Sequence, residues 1–98
     1  MIAFHYQDAM AQAKDLRQVS DDLYTLLNRS LKPQQSELAY AWRGDSANLF
    51  LKKTEDLYAD IEKTAKLLAA IAKSVEISAR AIKAAEDAAK EIVNAVSL

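Results

Sequence analysis

Tyr40-Ala41-Trp42-Arg43-Gly44-Asp45-Ser46 contains the only tryptophan and the only glycine of a 98-residue chain, and it lies near the middle. Gly44 can take the left-handed conformation that closes a helix. Asp45 or Ser46 can open the next one, because a short side-chain oxygen accepts a bond from an orphan N–H of the first helical turn. Helix-forming sequence flanks the stretch on both sides. The reading is helix, short turn at 42–45, helix, which makes the chain an all-α antiparallel helix-turn-helix hairpin.

The segment after Gly44 runs for 54 residues without another Gly or a Pro. Steps of four and three residues from Phe50 reach Thr54, Leu57, Ile61, Thr64, Leu68, Ile71, Val75, Ser78, Ile82, Ala85, Ala89, Ile92 and Val96, and none of these positions is charged. A 3.5-residue period held this long is a coiled-coil-like seam, whereas the period of two expected of strands is absent. It predicts a helix over 46–96, a rod of roughly 75 Å at the helical rise. Phe50, Leu57, Ile61, Leu68, Ile71, Val75, Ile82 and Ile92 are the bulky residues of that seam and the candidate partner-binding surface. Leu49, Leu67, Ala70, Ile77, Ala81, Ala84 and Ala88 widen the apolar surface beyond one seam.

The segment before Gly44 is less regular. Ala9, Ala13, Leu16, Ser20, Leu23, Leu27 and Ser30 follow the same alternation, with Val19, Leu26 and Leu31 beside them. Pro33 removes a backbone donor and crowds the preceding turn, so helix one spans about 6–41 with a kink or a split near 30–33. Two unequal rods cannot cover each other's apolar surface. Pairing two hairpins into a four-helix bundle would bury the remainder. A three-helix bundle broken near Ser74 or Ser78 is the structural alternative, although no cap or stop signal marks such a break.

Composition agrees with few turns: one Gly, one Pro and no Cys, with 19 Ala. It excludes disulfide scaffolds, Cys-ligated zinc, barrels and glycine-rich phosphate loops. Five basic and five acidic residues precede Asp45, and eight and nine follow from it onward, for a net charge of −1. Without a basic stripe, nucleic acid and anionic membranes are not expected partners. The start Met1-Ile2-Ala3-Phe4-His5 lacks the basic and apolar regions of a secretory signal, and no stretch is apolar enough to span a membrane. Synthesis in the cytoplasm follows, with any export by a route that needs no cleavable signal.

Catalytic chemistry finds no foothold. His5 is the sole histidine, so neither an imidazole pair nor a Ser-His-Asp set can be built, and its place is that of a polar residue at a helix start. Asp21-Asp22, Glu55-Asp56 and Glu86-Asp87 are sequence neighbours, which a helix points about 100° apart, so they read as solvated faces. Neither an enzyme nor a cofactor or small-molecule binder is expected. Arg43-Gly44-Asp45 spells an adhesion tripeptide, but Gly and a capping Asp already have structural work there. Trp42 carries more information: beside the turn it either plugs the open end against Leu38 and Leu49 or Phe50, or forms part of a contact surface.

A chain of about this length, helical on both sides of a central Trp42-Arg43-Gly44, with Phe50 soon after and no Cys, resembles the WXG-motif family of small type VII secretion proteins, the early-secretory-antigen-like hairpins of Gram-positive bacteria and mycobacteria. The resemblance implies a homodimer or a heterodimer with a similar helical protein, exported folded by the type VII machinery, with Trp42 and Gly44 in the motif turn. It also implies a C-terminal Tyr-x-x-x-Asp/Glu signal, from which this sequence departs, since no aromatic residue follows Tyr58. A partner supplying that signal is then expected. The small helical proteins that accompany LXG-domain toxins fit that role, and the chain is either such a targeting partner or itself a secreted substrate. The competing expectation is a structural or regulatory coiled-coil module without a role in secretion.

Overall fold

The computed structural model describes residues 4–96. Met1 to Ala3, and Ser97 and Leu98, over which the leader and tail-signal readings also run, lie outside the described residues. Helix α1 spans Tyr6–Thr25, a π-helical turn follows at Leu26–Leu31, α2 spans Lys32–Ala41, and α3 runs unbroken over Asp45–Val96. Among the described residues there is no strand. The hairpin measures 82 × 18 × 16 Å, so its length is that of α3.

The turn is built differently from the sequence expectation. Trp42 donates its N–H to the Leu38 carbonyl at 2.8 Å, and its own extended backbone, φ −117° and ψ 124°, ends α2. Gly44 then adopts φ +118°, and its carbonyl accepts the Asn48 N–H at 3.0 Å, the first bond of α3. Gly44 therefore opens the second helix and does not close the first. Asp45 and Ser46 fall inside the first turn of α3 and are not its cap; the Asp45 carboxylate sits instead near the positive end of the helix dipole. A Cβ added at Gly44 would meet nothing within 4 Å. Its positive φ, not space, reserves the position for glycine.

Pro33 neither splits helix one nor leaves it regular. In an α-helix its ring would crowd the Arg29 carbonyl and its missing N–H would orphan a bond. The chain answers with the π turn, in which the Lys32 N–H reaches five residues back to the Leu27 carbonyl. The wider turn sets Pro33 in the first turn of α2, where its lost donor costs least. Tyr58 of α3 donates its hydroxyl to the Leu31 carbonyl at 3.2 Å, fastening the joint.

Small residues hold the two long helices together. Ala47, Ala65, Ala72 and Ala79 of α3 are buried, as are Ala13 and Ser20 of α1 and Leu27 of the π turn. Alanine against alanine lets the axes approach closely. Close approach also allows the Ser20 hydroxyl to reach the Ala65 carbonyl at 2.7 Å, which satisfies the one polar side chain in the buried set. Half-buried Leu51, Thr54, Tyr58, Ile61, Leu68 and Val75 complete the strip on α3. Leu27 is the one bulky side chain that is fully buried, so the core is long and thin.

Candidate functional surface

The ion pair between Arg17 of α1 and Glu76 of α3, at 2.5 Å, identifies which sides of the two helices lie on the same face of the hairpin. At about 100° per residue, Lys14 and Asp21 share that face with Arg17, and Glu62, Lys66, Lys73 and Arg80 share it with Glu76. Arg80 adds a second contact to Glu76 at 3.6 Å. This is the charged face, with Ile77 its one large apolar exception, 55% exposed.

The opposite face is apolar. Val19 and Leu26 of helix one stand exposed there, beside half-buried Leu16 and Leu23. Across from them α3 presents Phe50, Leu57, Ile71 and Ile82, between 42% and 54% exposed. An open groove of about 510 Å³ runs along α3, lined by Phe4, Ala9, Ile71, Val75, Ser78 and Ile82 among others. No helix of the described residues is long and apolar enough to cross a membrane.

The eight seam residues are thus not one stripe. Ile61, Leu68 and Val75 are half-buried in the strip that packs on α1. Phe50, Leu57, Ile71 and Ile82 remain on the outer apolar face. Ile92, 65% exposed, belongs to a third region. The Lys83 ammonium lies 5.7 Å above the Tyr6 ring, so the start of α1 meets α3 at that point. Beyond it α3 projects roughly 20 Å at the helical rise. The correction has a physical cause: two adjacent 3.5-residue seams share one position per heptad, and alanines at 47, 65, 72 and 79 rotate α3 so that only the shared positions face α1.

At the turn end Trp42 packs on Phe50, with ring centroids 5.6 Å apart at 45°. Trp42 nonetheless stays 40% exposed, beside Leu38 at 36% and Leu49 at 58%. It is a plug on one side and open surface on the other. Sequence reasoning missed Ser20 and the Arg17–Glu76 pair, because a serine on an apolar face and charges 59 positions apart carry no local signal.

The hydrogen bond from Arg17 holds the Glu76 carboxyl below the ordinary glutamate range, against the opposing effect of burial, and raises the guanidinium further above its own high value. Arg17 stays charged throughout, so Glu76 sets the pH dependence. Its contribution is complete above the usual glutamate pKa of about 4.3 and is lost as pH falls through the lowered value. Acid titration of thermal stability is expected to show a loss beginning below about pH 4. Glu76→Gln should be less stable at neutral pH and show a flatter acid limb; an unchanged limb would mean that the pair does not link the helices. Among the described residues no group of His, Cys, Asp or Glu is placed to hold a metal.

Three comparisons complete the description. Residues 1–95 match the family model WXG100, proteins of 100 residues with WXG. No curated protein matches the sequence. Among solved structures, EsxA of Geobacillus thermodenitrificans in its crystal form I superposes with a TM-score of 0.77 at 22% identity, over 96% of this chain and 100% of that one. At that identity the likeness is one of fold.

Proposed function

Because the chain belongs to the WXG100 family, the small helical proteins of type VII secretion, we propose that it acts without catalysis, by binding a second helical protein across its apolar face, and that it leaves the cell in that bound form. The observation that carries the proposal is surface area. The hairpin exposes 7676 Å², where a compact monomer of this mass exposes roughly 5,600 Å². The surplus of about 2,000 Å² exceeds the roughly 800 Å² per partner of a standard interface. Val19, Leu26, Phe50, Leu57, Ile71 and Ile82 put bulky apolar groups at its centre. A second hairpin, from another copy or a similar protein, would close a four-helix bundle over them.

Translation in the cytoplasm and passage through the type VII machinery follow from membership in the family. Trp42 and Gly44 form the motif turn, and the exposed side of Trp42 is the part available for recognition. The projecting end of α3, with Ile92 and Val96 exposed, supports a second reading: a longer helical partner, such as the helical N-terminal region of an LXG toxin, would cover it along with the apolar face. Secretion from a bacterium with a type VII system tests the role. Trp42→Ala is expected to remain helical and accumulate inside the cell, and normal export of that variant would leave Trp42 only the plug.

A further inference from the structure

Helix α1 and helix α2 are attached to α3 in different ways. α1 is anchored by buried Ala13 and Ser20, and by the Ser20 bond to the Ala65 carbonyl at 2.7 Å. α2 buries no residue; Leu38 is 36% and Tyr40 83% exposed. Its ties are polar. The Gln35 amide donates to the Leu51 carbonyl at 3.2 Å and to the Thr54 hydroxyl at 2.8 Å, and Tyr58 holds the Leu31 carbonyl at the joint. Water can replace each of these bonds when they open, so separating α2 from α3 costs little apolar burial.

Both ends of α2 are also built to bend. On one side the π turn has already stretched the hydrogen-bond ladder, and Pro33 contributes no donor to it. On the other, Trp42 is extended and Gly44 holds a positive φ. We infer that α2 is a hinged flap, bending at the π turn and the Trp42–Gly44 reversal and latched to α3 by Gln35 and Tyr58. Closed, the flap sets Trp42 against Phe50; open, it carries Trp42 away and uncovers the α3 strip at Ala47, Leu51 and Thr54. The flap therefore controls whether the aromatic pair at the turn end is assembled, and does so whatever the partner on the apolar face.

Amide hydrogen exchange on the full chain, read by mass spectrometry, tests this. The amides of 34–41 are expected to exchange as one block, at least about tenfold faster than those of 9–20, as a locally opening unit would. Gln35→Ala and Tyr58→Phe each remove one part of the latch with little change of shape. Each should speed that block by a further threefold to tenfold, roughly the loss of one net hydrogen bond, and leave 9–20 unchanged. Equal protection of α2 and α1, or latch variants that speed exchange evenly along the whole chain, would overturn the flap.

Discussion

Ala72→Asp is expected to unfold the hairpin. Ala72 is wholly buried where α3 meets α1, and the close approach of the axes leaves no room for a longer side chain and no partner for a charge. An unpaired buried carboxylate costs about 3–5 kcal/mol, and forcing extra atoms into a packed contact adds about 1–3 kcal/mol. Against a total stability of about 5–15 kcal/mol, and with so thin a core, most of the margin disappears. Thermal unfolding followed by circular dichroism should show a fall in Tm on the order of 15–30 °C, at about 4–8 °C per kcal/mol for a domain of this size. A variant that melts within a few degrees of the parent chain would show that α3 does not present Ala72 to α1.

That substitution touches the point at which sequence reasoning stopped. The all-helical hairpin was legible because its punctuation is sparse: Gly44 stands alone at the reversal, and nothing after it interrupts a 3.5-residue period. The rotation of α3 was not legible. Thr54, Ile61, Leu68 and Val75 belong to two adjacent seams at once, one completed by Phe50, Leu57 and Ile71, the other by Ala47, Tyr58, Ala65 and Ala72. Hydropathy favours the first because its residues are larger. Packing takes the second for the intrachain contact, since alanine gives up side-chain area in exchange for a shorter distance between backbones. The bulky seam residues outside that contact are left on the surface.

The turn and the joint teach a related lesson. Asp45 and Ser46 carry the chemistry of caps, yet the helix starts one residue earlier because the reversal requires a positive φ and Gly44 alone can supply it. Pro33 announced an irregularity without specifying it. A kink, a split and a π turn all relieve the same clash, and the choice depended on Tyr58, 27 positions from Leu31. Local sequence named the sites of strain, and long-range contacts decided how each was resolved.

Ile71→Asp, one residue from Ala72, is expected to do the reverse: keep the hairpin and abolish its association. Ile71 is 42% exposed in the isolated chain, so an aspartate there keeps its water and should change folding stability by no more than about 0.5 kcal/mol. In a two-fold pair the substitution occurs twice at the centre of the proposed interface. Central apolar anchors contribute about 2 kcal/mol or more each, so the loss is on the order of 4 kcal/mol, about a thousandfold in Kd. Sedimentation of the parent chain should give an associated species, either with itself or with a co-expressed helical partner. Ile71→Asp should give a helical monomer under the same conditions. Association that survives the substitution would place the partner elsewhere, on the charged face or on the projecting end of α3. A parent chain that sediments as a stable, unpartnered monomer would remove the binding proposal altogether. Because neighbouring positions are expected to fail in opposite ways, the pair separates the two seams that periodicity alone had merged.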